Sequence, residues 1–368
     1  MKKFSRIKLV WISRNAWRRY LKSKAVRSDQ ISNKFHKIPR NFGPRTLGAR
    51  IPMPRMFCLD TNYQETCEAI NKMRSSLLPQ STRKGLNVRA LHRQQPYYDF
   101  RTIEHITPGA ALVLAAEYDR MRRLAGRKLW TIDLESWNPT VYASLNEIGF
   151  LKLLDVEKKE LPCEPENSVR ILKFITGLGS DGLAAAKLTQ EMRSIAGEIE
   201  GGNFLFDGIT EAMTNVTHHA YPDDHKFRYY PLRNRWWLTG AYYADEKKLK
   251  VIIFDQGITI PGHIPRSKKK EQIRSMFYKM FNSLLGTDMS DDGKIINAAM
   301  EVSRSSTGDE HRGKGLANML DFVDNSADGY LRIVSRRGEY VYHKGQQPIV
   351  HEHPTSVGGT LIEWQIQR

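Results

Sequence analysis

Cysteine is scarce. Cys58, Cys67 and Cys163 are the three in 368 residues, and no two of them form a Cys-x-x-Cys pair, which argues against a disulfide framework and against a zinc site. A reducing cytoplasm is the expected setting. Long apolar runs are missing as well: none approaches the roughly 18 residues needed to span a bilayer, and the first residues carry no unbroken apolar segment of signal-peptide type. No transmembrane segment is therefore expected. Low-complexity tracts and regular internal repeats are also missing. Acidic residues are nearly absent from the first 55 positions, where Asp29 alone faces sixteen Lys and Arg, a net charge of +15 out of +17 for the whole chain. The remainder is close to neutral, so the basicity belongs to an arm and not to the molecule as a whole.

Within that arm Phe4, Ile7, Trp11, Trp17 and Leu21 fall on one side of a possible helix whose other positions are rich in Lys and Arg. Three readings stay open. Residues 1–55 can track a nucleic-acid backbone, lie on an anionic membrane surface, or dock on their own protein or a partner. The chain is long enough for two further domains, giving a division into a basic arm over 1–52, an α/β domain over 53–160 and a second domain over 161–368.

From Met53 the pattern alternates between short strands and helices, which implies an α/β layer with parallel strands. Met56, Phe57 and Leu59 suggest a strand. Asn62 with Glu65 reads as a capping box before a helix that carries Cys67, Ile70, Met73 and Leu77 on one face. Strands are expected near Tyr98–Ile103 and over Leu129–Leu134. Helices are expected from Thr107-Pro108-Gly109 and from Asn138-Pro139 to Gly149. The stretch from Asp99 to Leu154 resembles the STAS domain of anti-sigma-factor antagonists. In that family a serine within an Asp-Ser-Ser-Gly turn is phosphorylated; here the turn reads Ile106-Thr107-Pro108-Gly109, and Pro108 takes the serine's place. Thr107 before Pro108 reads as the N-cap and first residue of the next helix. The resemblance implies a module that binds a protein partner and has lost that switch.

Pro162 to Asn167 is a plausible linker, and Val169 to Ile199 reads as helical with an interruption at Gly177-Leu178-Gly179. Then Gly201-Gly202-Asn203 opens a helix, Phe204 to Tyr221, whose Leu205, Ile209, Ala212, Met213, Val216 and Ala220 form one apolar stripe. Glu211, Asn215 and His219 recur every four residues on the opposite face, so three polar groups point into one space. Two adjoining strands follow, Trp236–Tyr243 and Leu249–Phe254, and the second runs into Asp255-Gln256-Gly257. A long segment, Thr259 to His311, leads to Arg312-Gly313-Lys314-Gly315-Leu316 before a further helix, and Gly358-Gly359-Thr360 precedes a strand with Ile362, Trp364 and Ile366 alternating.

Taken in this order, the motifs resemble the ATP-binding domain shared by gyrase, heat-shock chaperones, sensor histidine kinases and mismatch-repair ATPases, the GHKL type or Bergerat fold. The pattern Glu-x-x-x-Asn-x-x-x-His-Ala-Tyr is closest to that of anti-sigma-factor serine kinases. The resemblance covers about residues 165–368 and implies an α/β sandwich, a mixed sheet with helices over one face, preceded by the STAS-like domain. It implies that Asp255 accepts a hydrogen bond from the adenine amino group while Gly257 lets the backbone pass close to the base. A charged bond of that kind contributes roughly 1.5–3 kcal/mol and is lost with guanine, which favours ATP over GTP. By the same resemblance Thr360 supports the adenine, and Gly313, Gly315 and Leu316 start a helix whose backbone N–H groups meet the phosphates. Arg312 or Lys314 neutralises the terminal phosphate.

Asn215 would bind Mg²⁺ through its amide oxygen, with phosphates and waters completing the octahedron. Glu211 would take a proton from the attacking group. That attacker is water in an ATPase, or a protein hydroxyl in a serine/threonine kinase. A sensor histidine kinase is excluded because residues 160–210 hold no histidine to accept a phosphoryl group. The expected function is an ATP-binding regulatory switch that couples Mg-ATP to the STAS-like module and its partner. The alternatives are an anti-sigma-type serine/threonine kinase, and a non-hydrolysing adaptor that delivers its arm to nucleic acid. A homodimer is compatible with any of these.

Overall fold

The computed structural model describes residues 50–77, 97–125, 133–154, 156, 169–281, 289–305 and 315–367. The arm up to residue 49, the linker at 162–167, Cys163 and the residues Arg312, Gly313 and Lys314 lie outside the described residues.

Strands β1 (Arg50–Pro52) and β2 (Met56–Phe57) each pair in parallel with a later strand, β3 (Tyr97–Asp99) and β4 (His105–Ile106) respectively. Between them runs α1 (Tyr63–Leu77), where Asn62 donates to the Glu65 carboxylate at 3.0 Å and Cys67, Ile70 and Met73 are buried. Helix α2 (Pro108–Ala125) starts at the expected Thr107-Pro108 pair, and its residues from Ala110 to Ala116 are all fully buried. Helices α3 (Pro139–Glu147) and α4 (Phe150–Leu153) follow, α3 capped by the Asn138 side chain, which accepts from the N–H groups of Thr140 and Val141.

Two strand expectations end early. The first stops at Asp99, whose carboxylate accepts the Arg101 N–H and turns the chain into a 3-10 turn over Phe100–Thr102. Leu134 likewise begins a 3-10 turn, Leu134–Ser136, and residues 129–132 of that second expected strand lie outside the described residues.

The second half of the chain builds one large sheet. Its elements in order are β5 (Val169–Ile171), β6 (Ile175–Leu178), α5 (Gly182–Ala196), α6 (Gly202–His218), β7 (Arg235–Tyr243), β8 (Lys248–Asp255), α7 (Ile260–His263), α8 (Lys270–Phe281), α9 (Asp292–Ser305), α10 (Gly315–Asp324), β9 (Asp328–Ser335), β10 (Gly338–His343), β11 (Ile349–Glu352) and β12 (Thr360–Gln367). The sheet order is β11-β10-β9-β12-β8-β7-β5, with β6 also on β7. Every pairing in it is antiparallel, so the expected mixed sheet is corrected. Short turns join β7 to β8 and β9 to β10, and such connections reverse the chain direction.

Residues 169–176, expected to be helical up to the break at Gly177, instead hold β5 and the start of β6, with 172–174 between them. Val169, Ile171, Ile175 and Thr176 are β-branched, and they complete the edge of β7.

The expectation of helices over one face is also corrected, because both faces are covered. Strands β7 and β8 are apolar on both sides, the pattern of a strand buried between two layers. Trp236, Leu238, Val251 and Ile253 pack under α5, α6 and α10 together with Leu205, Ile209, Met213 and Trp364. Trp237, Ala241, Ile252 and Phe254 point the other way and share one core with α1 to α4. Trp237 also donates to Asp119 of α2 at 3.0 Å. Each of these large side chains contributes roughly 1.5–3 kcal/mol through burial, so α2 is as integral to the sheet as α6.

Helices α7 to α9 gather a smaller core of their own from Ile264, Ile273, Phe277, Ile295, Ala298, Ala299 and Val302. Among the described residues no helix is long and apolar enough to cross a membrane.

Candidate functional site

Helix α6 carries the central row. Its apolar stripe is buried from Leu205 to Val216, with Gly201 in the left-handed conformation just before it, φ 69°; the helix ends at His218, so Ala220 and Tyr221, expected within it, lie beyond it. Glu211 and Asn215 are half-buried on the far side. Burial raises the Glu211 carboxyl above the ordinary range, while Asn215 and then His218, both beside it, pull it back. The Asn215 carboxamide lies beside that carboxylate, with its buried Nδ2 short of a well-formed hydrogen bond. His219 closes the helix, and its ring lies 4.5 Å from that of His263 in α7. Burial, with His219 and Arg266 nearby, pushes the His263 imidazole down to about 4, so it is neutral at pH 7.

The end of β8 meets the end of α6. Asp255 is 7 % exposed, and its Oδ1 accepts the Gly257 N–H at 2.7 Å. The Ile258 N–H donates to the Ala220 carbonyl at 2.8 Å. A Cβ on Gly257 would lie 2.6 Å from that carbonyl and 2.8 Å from Asp255 Oδ1, so the approach requires glycine. Tyr221 holds the same turn through its hydroxyl, which accepts the Gln256 N–H at 3.0 Å and donates to the Arg235 carbonyl at 3.3 Å. Burial lifts the Asp255 carboxyl to about 7, against the Gly257 hydrogen bond that lowers it. Thr360, at the start of β12, stands directly opposite Asp255 on one side and Ser335 of β9 on the other. Its hydroxyl is 2.8 Å from that of Ser335, which accepts the Ile260 N–H at 2.9 Å.

The start of α10 closes the other end of the row. A Cβ on Gly315 would meet the end of the Glu211 side chain, so the start of α10 lies directly against that carboxylate. Leu316 packs between the main core and the smaller core of α7 to α9. Asp255, Gly257 and Thr360 therefore form one cluster, and Glu211 with Gly315 a second. Asn215 lies on the helix between them, one turn from Glu211. Arg312, Gly313 and Lys314, just ahead of Gly315, lie outside the described residues.

Three residues in this neighbourhood carried no signal in the sequence. Ser335 and His263 are brought in by strand register and by the fold of 259–305. Gln256 was read only as the middle of a turn. Among the described residues no group of three or more His, Cys, Asp or Glu side chains is placed to hold a metal ion. Neither a family model nor a curated protein matches the chain.

Proposed function

We propose that the chain is a regulatory switch of the GHKL type, binding Mg-ATP along α6 and hydrolysing it. The observation that carries this reading is the pairing of Asp255 with Thr360 at adjacent strand ends, tied through the Ile258 N–H to Ala220, just past the end of α6. A buried acceptor beside a hydroxyl suits the amino edge of adenine. From His218 back to Glu211 the helix rises about 10 Å, which sets the phosphates near the start of α10, where helix N–H groups favour negative charge. Asn215, half-buried one turn from Glu211 on the same face, is the residue that would hold Mg²⁺ through its amide oxygen. The ion would supply charge neutralisation on the phosphates. Glu211 would accept the proton of an attacking water; its raised pKa suits a general base working near neutral pH. The neutral His263 and His219 line the α7 side of the same space without adding charge.

The second face of the sheet gives the switch its output. Helix α2 of the STAS-like segment, almost wholly buried itself, packs on β7 and β8 in one core with α1, so a change at Asp255 would reach a protein partner through that layer. Incubating the purified protein with γ-labelled ATP tests the reading. Label released as free phosphate supports hydrolysis, label on protein identifies the kinase alternative, and retention as bound ATP identifies the non-hydrolysing adaptor. Absence of ATP binding contradicts all three.

A further inference from the structure

A buried cluster outside the nucleotide row ties the N-terminal layer to both strand ends that carry Asp255 and Thr360. Glu117 of α2 is 1 % exposed, and two guanidinium groups hold it: Arg74 Nε of α1 at 2.6 Å, and Arg120 Nε and Nη2 at 3.0 and 2.7 Å. Burial alone would raise this carboxyl; Arg120 and Arg74 outweigh it and bring it below the ordinary range, so Glu117 is an anion at neutral pH. The same carboxylate accepts a third donor, Gln256 Nε2, at 2.8 Å. Arg74 extends to the other strand, donating to the Val357 carbonyl at 2.8 Å, and Asn71 donates to the Ser356 carbonyl at 2.9 Å. Arg120 donates to the Tyr230 carbonyl at 3.1 Å.

An Asp-x-Gly turn asks nothing of its middle residue, since the carboxylate and the glycine suffice for the base. Here that residue is 6 % exposed, its backbone N–H is held by Tyr221, and its side chain crosses to a different layer. The Gly358-Gly359-Thr360 segment is held from the same side by Arg74. Glu117 thus lies at the joint of two segments that must be correctly spaced for one base to meet both Asp255 and Thr360.

We infer that Gln256 is a positioning residue which, through Glu117, Arg74 and Arg120, makes adenine recognition depend on the N-terminal layer. This rests on the ATP reading above. By reciprocity of binding free energies, ATP then stabilises the arrangement of α1 and α2 by the amount that their arrangement favours ATP. A protein partner that displaces α1 or α2 lowers nucleotide affinity, and bound nucleotide resists that displacement.

Gln256→Met tests the relay, because methionine keeps the length, removes the donor and leaves Glu117 with both arginines. Calorimetry should show ATP affinity falling by about tenfold or more, with the ATP-over-GTP ratio reduced and cooperative thermal unfolding retained. ATP affinity equal to wild type overturns the inference. So does loss of ATP binding together with loss of cooperative unfolding, which would mark a merely structural residue. Hydrogen exchange on the unmodified full chain gives an independent arm. Saturating ATP should slow exchange in residues 71–74 and 114–121 more than in 139–147, and equal or absent protection overturns the relay. The two claims fail differently. Wild-type protein that binds no ATP removes the nucleotide reading and the relay with it, whereas ATP binding that depends on Asp255 but not on Gln256 removes the relay alone.

Discussion

Asp255 sits in conflict with its surroundings: buried at the sheet end, its one recorded hydrogen bond comes from the Gly257 N–H, and its carboxyl is raised to about 7. A carboxyl raised on folding adds stability below its unfolded pKa of about 3.9, and that contribution is lost as pH rises through about 7. At pH 8 the ionised group costs on the order of a few kcal/mol. Asp255→Asn keeps an acceptor for Gly257 and should melt higher than wild type at pH 8, with the difference closing toward pH 4. A melting difference that stays constant over that range would count against the buried carboxylate. Retention of so costly a group suits a binding role, since active sites hold such groups at the expense of stability. Glu211 calls for a different experiment. Glu211→Gln preserves the packing against Gly315 and removes the base, so ATP affinity should hold within about twofold while phosphate release falls by roughly 10²–10⁴. Equal phosphate release from both proteins would assign the proton to another group.

At the scale of elements, α6 and α10 approach closely where Gly315 faces Glu211. Gly315→Ala places a methyl group against the end of the Glu211 side chain, which swings aside at little cost, so stability read from the denaturation midpoint at unchanged slope should stay within about 1 kcal/mol of wild type. A larger loss would show that the carboxylate is held rigidly in place. Elements defined by local period were legible in the sequence: α6 by its stripe, α2 and α3 by their Thr-Pro and Asn-Pro starts, β7 and β8 by their apolar runs. Those defined by distant pairing were not. Val169–Ile171 and Ile175–Leu178 are too short to show a period of their own and become strands because β7 offers an edge. Helix α9 is carried by Ile295, Ile296, Ala299, Met300 and Val302, a period obscured by the basic and polar residues around it. The site divides in the same way. Glu211, Asn215 and Asp255 stood out by spacing, while Ser335 and the Glu117 contact with Gln256 required the register of β9 with β12 and the packing of a second layer.

For the whole molecule, the double-sided core joins what the sequence divides at about residue 160. Trp237 and Phe254 belong to the same cluster as α1 to α4, so the N-terminal layer is expected to unfold with the sheet in a single transition. The arm is a separate matter. The net charge of +15 over residues 1–55 should bind DNA or RNA chiefly through phosphates, with the logarithm of affinity falling linearly and steeply against the logarithm of salt. Because β1 begins at Arg50 and pairs with β3, a deletion ending at residue 48 should remove that binding and leave ATP affinity intact. Full-length protein that ignores nucleic acid at low salt would assign the arm to a protein or membrane surface. The central claim, an adenine nucleotide held at Asp255, is tested most directly by calorimetric titration of Mg-ATP and Mg-GTP into wild type and Asp255→Asn at pH 8. The account predicts ATP binding to wild type, GTP weaker by about tenfold or more, and a comparable loss of ATP affinity in the variant. Wild type that binds no ATP, or a variant that binds it as tightly, would contradict it.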